Sequence, residues 1–383
     1  MNYRTLGRTG IQVSEIGLGC EHLQGQDEAA IRAVVDAALE SGINILDVFM
    51  SEPEVRTNIG KALAGRREQV VLQGHIGAAW LDGQYCRTRD PGQCKYFFED
   101  FMERMQTDMV DIGMLHFVDT MADYESVFNT DVIRYAVELK ERGVIRALGM
   151  SSHDPVAACR AVETGLIDVL MFSMNPAFDI LPEDTQIDGL FDPASFQRDG
   201  LAGVNPAREK LYQTCEAMGT AITVMKTYAG GALLAAEASP FGVAMTPEQC
   251  IHYALTRPAV TSVMIGCRTP EEVPAALRYE SASDAERDYS VVLSNSAKYS
   301  LRGKCMYCNH CLPCPSQIDI AQVNKYLDLA TLRDEVPGTV REHYLALDAH
   351  ASDCIACGSC EGNCPFGVPV IERMAKAKTV FGE

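Results

Sequence analysis

Two strings of cysteine near the C-terminus constrain this chain more than any other feature: Cys305-x2-Cys308-x2-Cys311-x2-Cys314-Pro315, and about forty residues later Cys354-x2-Cys357-x2-Cys360-x3-Cys364-Pro365. Three thiolates spaced every third residue wrap a chain around one face of a cubane, and a fourth before proline turns away to a second cluster. The spacing predicts two [4Fe-4S] clusters. The ferredoxin crossover gives Cys305, Cys308, Cys311 and Cys364 to one and Cys354, Cys357, Cys360 and Cys314 to the other. Structural zinc is the competing reading, but four-cysteine zinc sites usually separate two pairs. The first string is one residue shorter than the usual bacterial spacing before its last cysteine. The crossover therefore follows less directly than the ligands do. The other seven cysteines (Cys20, Cys86, Cys94, Cys159, Cys215, Cys250, Cys267) are scattered, as reduced thiols in a cytoplasm would be.

The 383 residues leave room for two or three domains and a large core. Lys+Arg 33 against Asp+Glu 52 gives a net charge of −19, a field that repels phosphate backbones and anionic lipid. Nucleic acid and membrane surfaces are excluded as expected partners. The polar start MNYRTLGRTG has no apolar signal region, and no run approaches the ~20 apolar residues that span a bilayer. A soluble, cytoplasmic protein is expected.

Up to about residue 280, eight short apolar runs alternate with amphipathic stretches. The runs are Glu15 to Leu18, Ile43 to Leu46, Val70 to Leu72, Val110 to Leu115, Ala147 to Met150, Val169 to Phe172, Ala221 to Met225 and Ser262 to Ile265. Between them lie stretches such as Glu28 to Ser41, Val132 to Arg142, Pro155 to Thr164 and Pro206 to Met218, followed by the helix-stop glycines Gly42, Gly143, Gly165 and Gly219. Eight strand-helix units predict a (β/α)8 barrel over residues 1–280. An open doubly wound sheet is the alternative, but Gly-Cys-Glu-His follows the first strand, with no G-x-G-x-x-G. Residues 3–13 read as a β-hairpin closing the barrel floor. The long connections 77–95 and 176–204 would shape a pocket at the strand C-terminal ends. After residue 280 a polar helical stretch, Ser283 to Ser300, leads into a small α-helical, ferredoxin-like 4Fe-4S domain over 281–383.

Polar residues at strand C-terminal ends face a barrel's active site. The second, third and fourth runs end at Asp47, His75 and His116, which converges a carboxylate and two imidazoles on one side of the mouth. The same set is a 2-His-1-carboxylate group that could bind iron or zinc, although no tight local spacing supports this. His153 and Lys226 fall near the ends of strands 5 and 7, as pocket or solvated rim residues. Cys20 reads as small buried packing or a reactive thiol. Trp80 and Tyr85, in the loop after strand 3, either stack on substrate or pack the loop.

The chain resembles the aldo-keto reductases, in particular the branch with a C-terminal 4Fe-4S extension. The landmarks run in order over essentially the whole chain: Arg4-Thr5-Leu6-Gly7-Arg8-Thr9-Gly10, Gly17-Leu18-Gly19, Asn44-Ile45-Leu46-Asp47, Asp111 to His116, Gly149-Met150-Ser151-Ser152-His153 and Ile265 to Glu272. The resemblance implies an Asp-Tyr-Lys-His tetrad in which Tyr protonates a carbonyl oxygen while NADPH delivers hydride. Asp47 and His116 match their places, but Glu52 stands at the tyrosine position and His75 at the lysine position. A carboxylic acid or imidazolium can donate a proton near neutral pH if its surroundings shift its pKa. The family's Ser-Asn-Gln nicotinamide set maps to Ser151, Ser152 and Met171. Gly230 and Gly231 are in place for a pyrophosphate and Arg268 for a ribose phosphate, so NADP(H) stays an open cofactor.

The reading expected is therefore an iron-sulfur, aldo-keto-reductase-like oxidoreductase. It would act on a small polar carbonyl, hydroxy or unsaturated substrate, with Asp47, Glu52, His75 and His116 handling protons and two clusters relaying electrons from a ferredoxin or flavoprotein partner. Cubanes pass single electrons, so hydride-type chemistry needs a nicotinamide or flavin as well. A redox-neutral lyase, dehydratase or isomerase is the alternative, since paired acid and base groups suit α-proton abstraction. A purely electron-carrying subunit has no need of the strand-end titratable groups.

Overall fold

The computed structural model describes residues 1–182, 185, 187–190, 192–197, 203–294, 302–332 and 335–382. Packing divides the chain into two compact units: Met1–Met174 with Thr220–Thr227 and Val260–Ala282, and Asn175–Gly219 with Tyr228–Ala259 and Ser283–Glu383.

The first unit holds a closed parallel barrel. Its strands are β1 (Ile16–Gly19), β2 (Ile45–Val48), β3 (Val71–Ile76), β4 (Val110–Leu115), β5 (Ile145–Ser152), β6 (Val169–Ser173), β7 (Ala221–Met225) and β8 (Val260–Gly266). Each of the eight expected apolar runs forms one of them. The last strand pairs with the first, Val263 opposite Ile16 and Gly266 opposite Gly19, so the sheet closes and the open doubly wound alternative falls away. Between strands, Glu28–Glu40, Asp131–Glu141 and Pro155–Glu163 are helical, within a residue or so of the expected spans. Asp27 and Asp154 cap two of them by accepting the Ala30 and Ala157 amides. After the helix Asp131–Glu141, Gly143 takes φ +73°, a left-handed turn that a side chain would resist.

The floor of the barrel is closed as expected. Tyr3–Thr5 pairs antiparallel with Gln12–Ser14, and the enclosed Leu6 joins Ile11 and Val13 against Ile45, Val71, Ile112, Ala147, Val169 and Ala221, at the starts of their strands. Burying each of these three side chains stabilises the barrel by roughly 1.5–3 kcal/mol. Two buried acids tie the same end together. Asp111 accepts Arg67 at 2.9 Å, Arg146 at 2.8 Å and the Leu72 amide at 3.0 Å. Asp168 accepts Arg8 at 3.0 Å, the Leu148 amide at 2.9 Å and Lys140.

The second unit has its own apolar core, in which Phe178, Leu233 and Tyr253 pack with Tyr289, Val323, Leu327, Tyr344, Phe366 and Met374. Buried Asp179 ties this core through the hydroxyls of Tyr212 (2.6 Å) and Tyr253 (2.8 Å). The sequence suggested one cut near residue 280. Packing instead groups 175–219 and 228–259 with the C-terminal residues, because the apolar side chains of those segments enter that shared core. The polar stretch 283–300 contains two short helices, Asp284–Arg287 and Ser290–Leu293. Its residues 295–300 lie outside the described residues, as do parts of the connection 176–204. Among the described residues no helix is long and apolar enough to cross a membrane.

Candidate active site and thiol-lined cavities

At the mouth of the barrel, strand ends β2, β3 and β4 bring Asp47, His75 and His116 together as the sequence predicts. All three are buried, at 2%, 2% and 4% exposure. His75 Nε2 lies 2.9 Å from Asp47 Oδ1, and His75 Nδ1 lies 2.8 Å from His116 Nδ1. Gln73, two residues before His75 on β3, donates to the same Asp47 oxygen at 2.9 Å and accepts from Thr223 of β7 at 3.3 Å. The chain continues outward, for His116 Nε2 meets the Tyr85 hydroxyl at 2.6 Å. Phe49 walls this line, stacked on His116 with ring centroids 5.9 Å apart and edge-on to Tyr85 at 6.3 Å.

These partners fix one consistent set of protons. With Asp47 ionised, His75 Nε2–H donates to it, His116 Nδ1–H donates to His75 Nδ1, and the Tyr85 hydroxyl donates to His116 Nε2. Burial, followed by the neighbouring His75, pushes His116 well below the usual imidazole range. It is neutral at pH 7. Burial also raises the Tyr85 phenol, against the opposing pull of Arg87 and Arg89.

Tyr85 reaches this place through a hairpin that the sequence reading took only as a long connection. Ala78–Leu81 pairs with Gln84–Arg87 around Asp82 and Gly83, both at positive φ. An Asp-Gly pair between short extended runs is the sequence signal for such a hairpin. Trp80 stands opposite Tyr85, and Ala78 opposite Arg87.

Glu52 is not part of the chain. It precedes the helix Pro53–Ala62, where its side chain caps nothing and its Oε2 is buried without a hydrogen-bond partner among the described residues. Nor do Asp47, His75 and His116 converge on a metal. His75 spends both ring nitrogens on protein neighbours, and among the described residues no three His, Cys, Asp or Glu form a site for a single ion.

The expected nicotinamide positions are largely occupied by the protein's own bonds. Ser152 Oγ donates to the Val118 carbonyl at 2.7 Å and accepts the Asp154 amide at 3.1 Å. Ser151 Oγ accepts the Phe117 amide at 2.8 Å and keeps its own proton. Met171 offers a thioether, 4.0 Å from the Gln73 amide, where an amide side chain would serve a carboxamide. The three-donor set for that group is reduced to Ser151, so these residues do not fit a nicotinamide carboxamide as the family's own set does. Arg268 is exposed with its amide on Glu272. Gly230 and Gly231, both at positive φ, lie in the second unit.

Other strand-end residues are settled by their partners. His153 Nδ1 rests on Asp119 Oδ2 at 2.9 Å. Lys226 reaches Glu21 at 3.3 Å. Cys20 is fully buried, and burial followed by Asp47 drives its thiol well above the ordinary range, which describes an inert thiol.

Within the second unit the cysteines of the two strings stand around two separate voids. Cys305, Cys308, Cys311 and Cys364 line one, and Cys314, Cys354, Cys357 and Cys360 line the other.

Comparison with known proteins identifies both parts. The family model described as aldo/keto reductase family matches residues 15–248. The chain belongs to the aldo/keto reductase family. A second match, a 4Fe-4S dicluster domain, covers residues 304–369. The uncharacterized oxidoreductase YqkF of Bacillus subtilis is 30% identical over 282 residues, which is 71% of this chain and 89% of that protein. The aldo-keto reductase YhdN of the same organism is 30% identical over 164 residues, 40% of this chain and 47% of the relative. Among solved structures, aldo-keto reductase AKR11C1 from Bacillus halodurans, in its holo form, superposes with a TM-score of 0.59 at 25% identity, covering 75% of this chain and 94% of that one. This is an aldo-keto-reductase-like oxidoreductase carrying a 4Fe-4S domain.

Proposed function

We propose that this oxidoreductase transfers protons to and from a small polar carbonyl or hydroxy substrate through the line Asp47, His75, His116 and Tyr85. The observation that carries the reading is the unbroken run of hydrogen bonds from buried Asp47 to the Tyr85 hydroxyl at the mouth. Tyr85 takes the part that the family's tyrosine plays, although it comes from the hairpin after β3 and not from the position of Glu52. In the neutral line, the Tyr85 proton points inward at His116. The line then accepts a proton from a substrate hydroxyl, which passes through Tyr85 to the imidazoles while Asp47 stabilises the imidazolium that forms. With that extra proton in place, His116 Nε2–H donates to the Tyr85 oxygen. The phenol is then free to give its own proton to a carbonyl oxygen. These residues move only the oxygen-bound proton of a carbonyl–alcohol interconversion, in either direction; the carbon-bound hydrogen and its electron pair go to or come from a two-electron carrier of the flavin or nicotinamide class, since cubanes pass single electrons.

Electrons belong to the dicluster domain. We assign Cys305, Cys308, Cys311 and Cys364 to one [4Fe-4S] cluster and Cys314, Cys354, Cys357 and Cys360 to a second, because each void is lined by just one of those sets. When bound, such clusters supply one-electron transfer, fed by a ferredoxin or flavoprotein. The donor set for a nicotinamide carboxamide is incomplete here.

A redox-neutral dehydratase or isomerase is favoured by one specific observation, the loss of Ser152 and Met171 as carboxamide donors beside an intact proton line. A single experiment separates the readings. Cluster-loaded protein is incubated anaerobically with small carbonyl and hydroxy compounds, with and without reduced viologen, and products and electrons are counted. Electron consumption matched to product, reduced about 10²- to 10⁴-fold in Tyr85→Phe, supports the oxidoreductase reading. Product formed without electrons supports the redox-neutral one.

A further inference from the structure

One cation beside the proton line has no ion-pair partner among the described residues. Arg87 is exposed, and its guanidinium lies 3.9 Å over the Phe117 ring. Among the described residues it makes no ion pair, in a chain with 52 acidic side chains. Asp119 and Asp123, which follow Phe117 in the chain, are engaged by other partners. Asp119 gives one oxygen to the His153 amide at 2.8 Å and the other to His153 Nδ1. Asp123 accepts the Asp119 amide at 3.2 Å and the Thr120 hydroxyl at 2.9 Å, and lies 3.6 Å from Arg89.

The platform under Arg87 is held in a strained conformation. Phe117 follows His116 directly and sits at φ +55°, a region that side chains resist. Both of its peptide groups are clamped, the amide by Ser151 Oγ at 2.8 Å and the carbonyl by Arg89 at 2.7 Å. The ring is thereby aimed between His116, at 6.0 Å, and His153, at 5.3 Å. Strain of this kind persists where the surrounding structure over-determines it, and it clusters at ligand-binding positions.

Residues two apart on a strand share a face, and Tyr85 and Arg87 are such a pair. One face of the hairpin therefore carries both the phenol that handles the proton and a guanidinium without a counter-charge among the described residues, separated along the strand by about 7 Å. We infer that Arg87 is the anchor for a carboxylate of the substrate, so that the substrate class is a short oxo- or hydroxycarboxylate with its reacting oxygen at Tyr85 and its carboxylate at Arg87. A planar guanidinium offers paired N–H donors that match a carboxylate. Stacking on Phe117 fixes the plane of that fork before the ligand arrives. His153 Nε2, left over once Nδ1 is held by Asp119, borders the same platform. The inference rests on the proton-line reading for the position of the reacting oxygen, but the carboxylate anchor itself does not.

The test uses the full, cluster-loaded chain. Succinate, succinamide and inorganic phosphate are titrated into wild type, Arg87→Gln and Arg87→Lys by calorimetry. Wild type should bind succinate and not succinamide. Arg87→Gln should weaken succinate binding by about tenfold or more, and Arg87→Lys should recover part of that. Succinate binding equal in wild type and Arg87→Gln overturns the anchor, and phosphate binding tighter than succinate overturns the carboxylate class. In turnover, succinic semialdehyde should exceed butanal in kcat/KM, and that advantage should vanish in Arg87→Gln. If neither aldehyde is turned over while succinate binding still depends on Arg87, the proton-line reading fails and the anchor stands.

Discussion

The floor and the mouth of the barrel are built from the same kinds of residue and do opposite things with them. At the floor, Asp111 and Asp168 each accept two cationic side chains and a backbone amide. Their bonds are closed on themselves, and they hold β3, β4 and β5 in register. At the mouth, Asp47 accepts only Gln73 and His75 among the described residues, and the bonds run on through His116 to end on a phenol facing out. A carboxylate whose acceptors are filled stabilises. One that starts an open-ended line of titratable groups is placed to move protons, the role proposed for it, and it costs buried desolvation to keep there.

The contrast is broken most strongly at the floor by Leu6→Ala. Leu6 is fully buried in the plug, so the truncation should cost about 2–5 kcal/mol in unfolding free energy, read by denaturant melts, without altering the proton line. Next, Asp111→Asn should cost about 1–3 kcal/mol, because Arg67 and Arg146 lose their charged acceptor, yet leave kcat/KM within about twofold. Tyr85→Phe should do the reverse, with melts unchanged within about 0.5 kcal/mol for a residue 42% exposed and turnover lost.

The smallest effect sharpens the comparison through pH. His116 is held below its unfolded value of about 6.5, so the unfolded chain binds more protons than the folded one between those two values. Stability from this group is present above about pH 6.5 and is lost as pH falls from there toward the folded value, at no more than about 1.4 kcal/mol per pH unit. The slope of melting temperature against pH below about 6.5 should be shallower in His116→Phe than in wild type.

Much of this was legible in the chain, and the reasons are physical. Alternating apolar runs and helix stops gave all eight strands because a parallel barrel buries its strands on both faces. Asp47, His75 and His116 were visible because each breaks an apolar run at its C-terminal end. Tyr85 was not placed beside His116, since only the Asp82-Gly83 turn, read as part of a long loop, folds it back over that ring. Glu52, which an ungapped match puts at the family's tyrosine position, lies outside that line of hydrogen bonds, since such a match says nothing about which way a side chain turns. The division of the molecule was hidden as well. The apolar faces of Pro206–Met218 and Pro247–Leu255 look alike whichever core receives them.

The central claim is that protons run along one line of hydrogen bonds, and nitrogen-15 NMR of the histidine side chains in the oxidised, cluster-loaded protein at pH 7 tests it most directly. The account predicts a neutral His116 protonated at Nδ1 with a bare Nε2. Tyr85→Phe should shift the His116 Nε2 resonance. A His116 protonated at Nε2, or one whose Nε2 does not respond to loss of the Tyr85 hydroxyl, would contradict it.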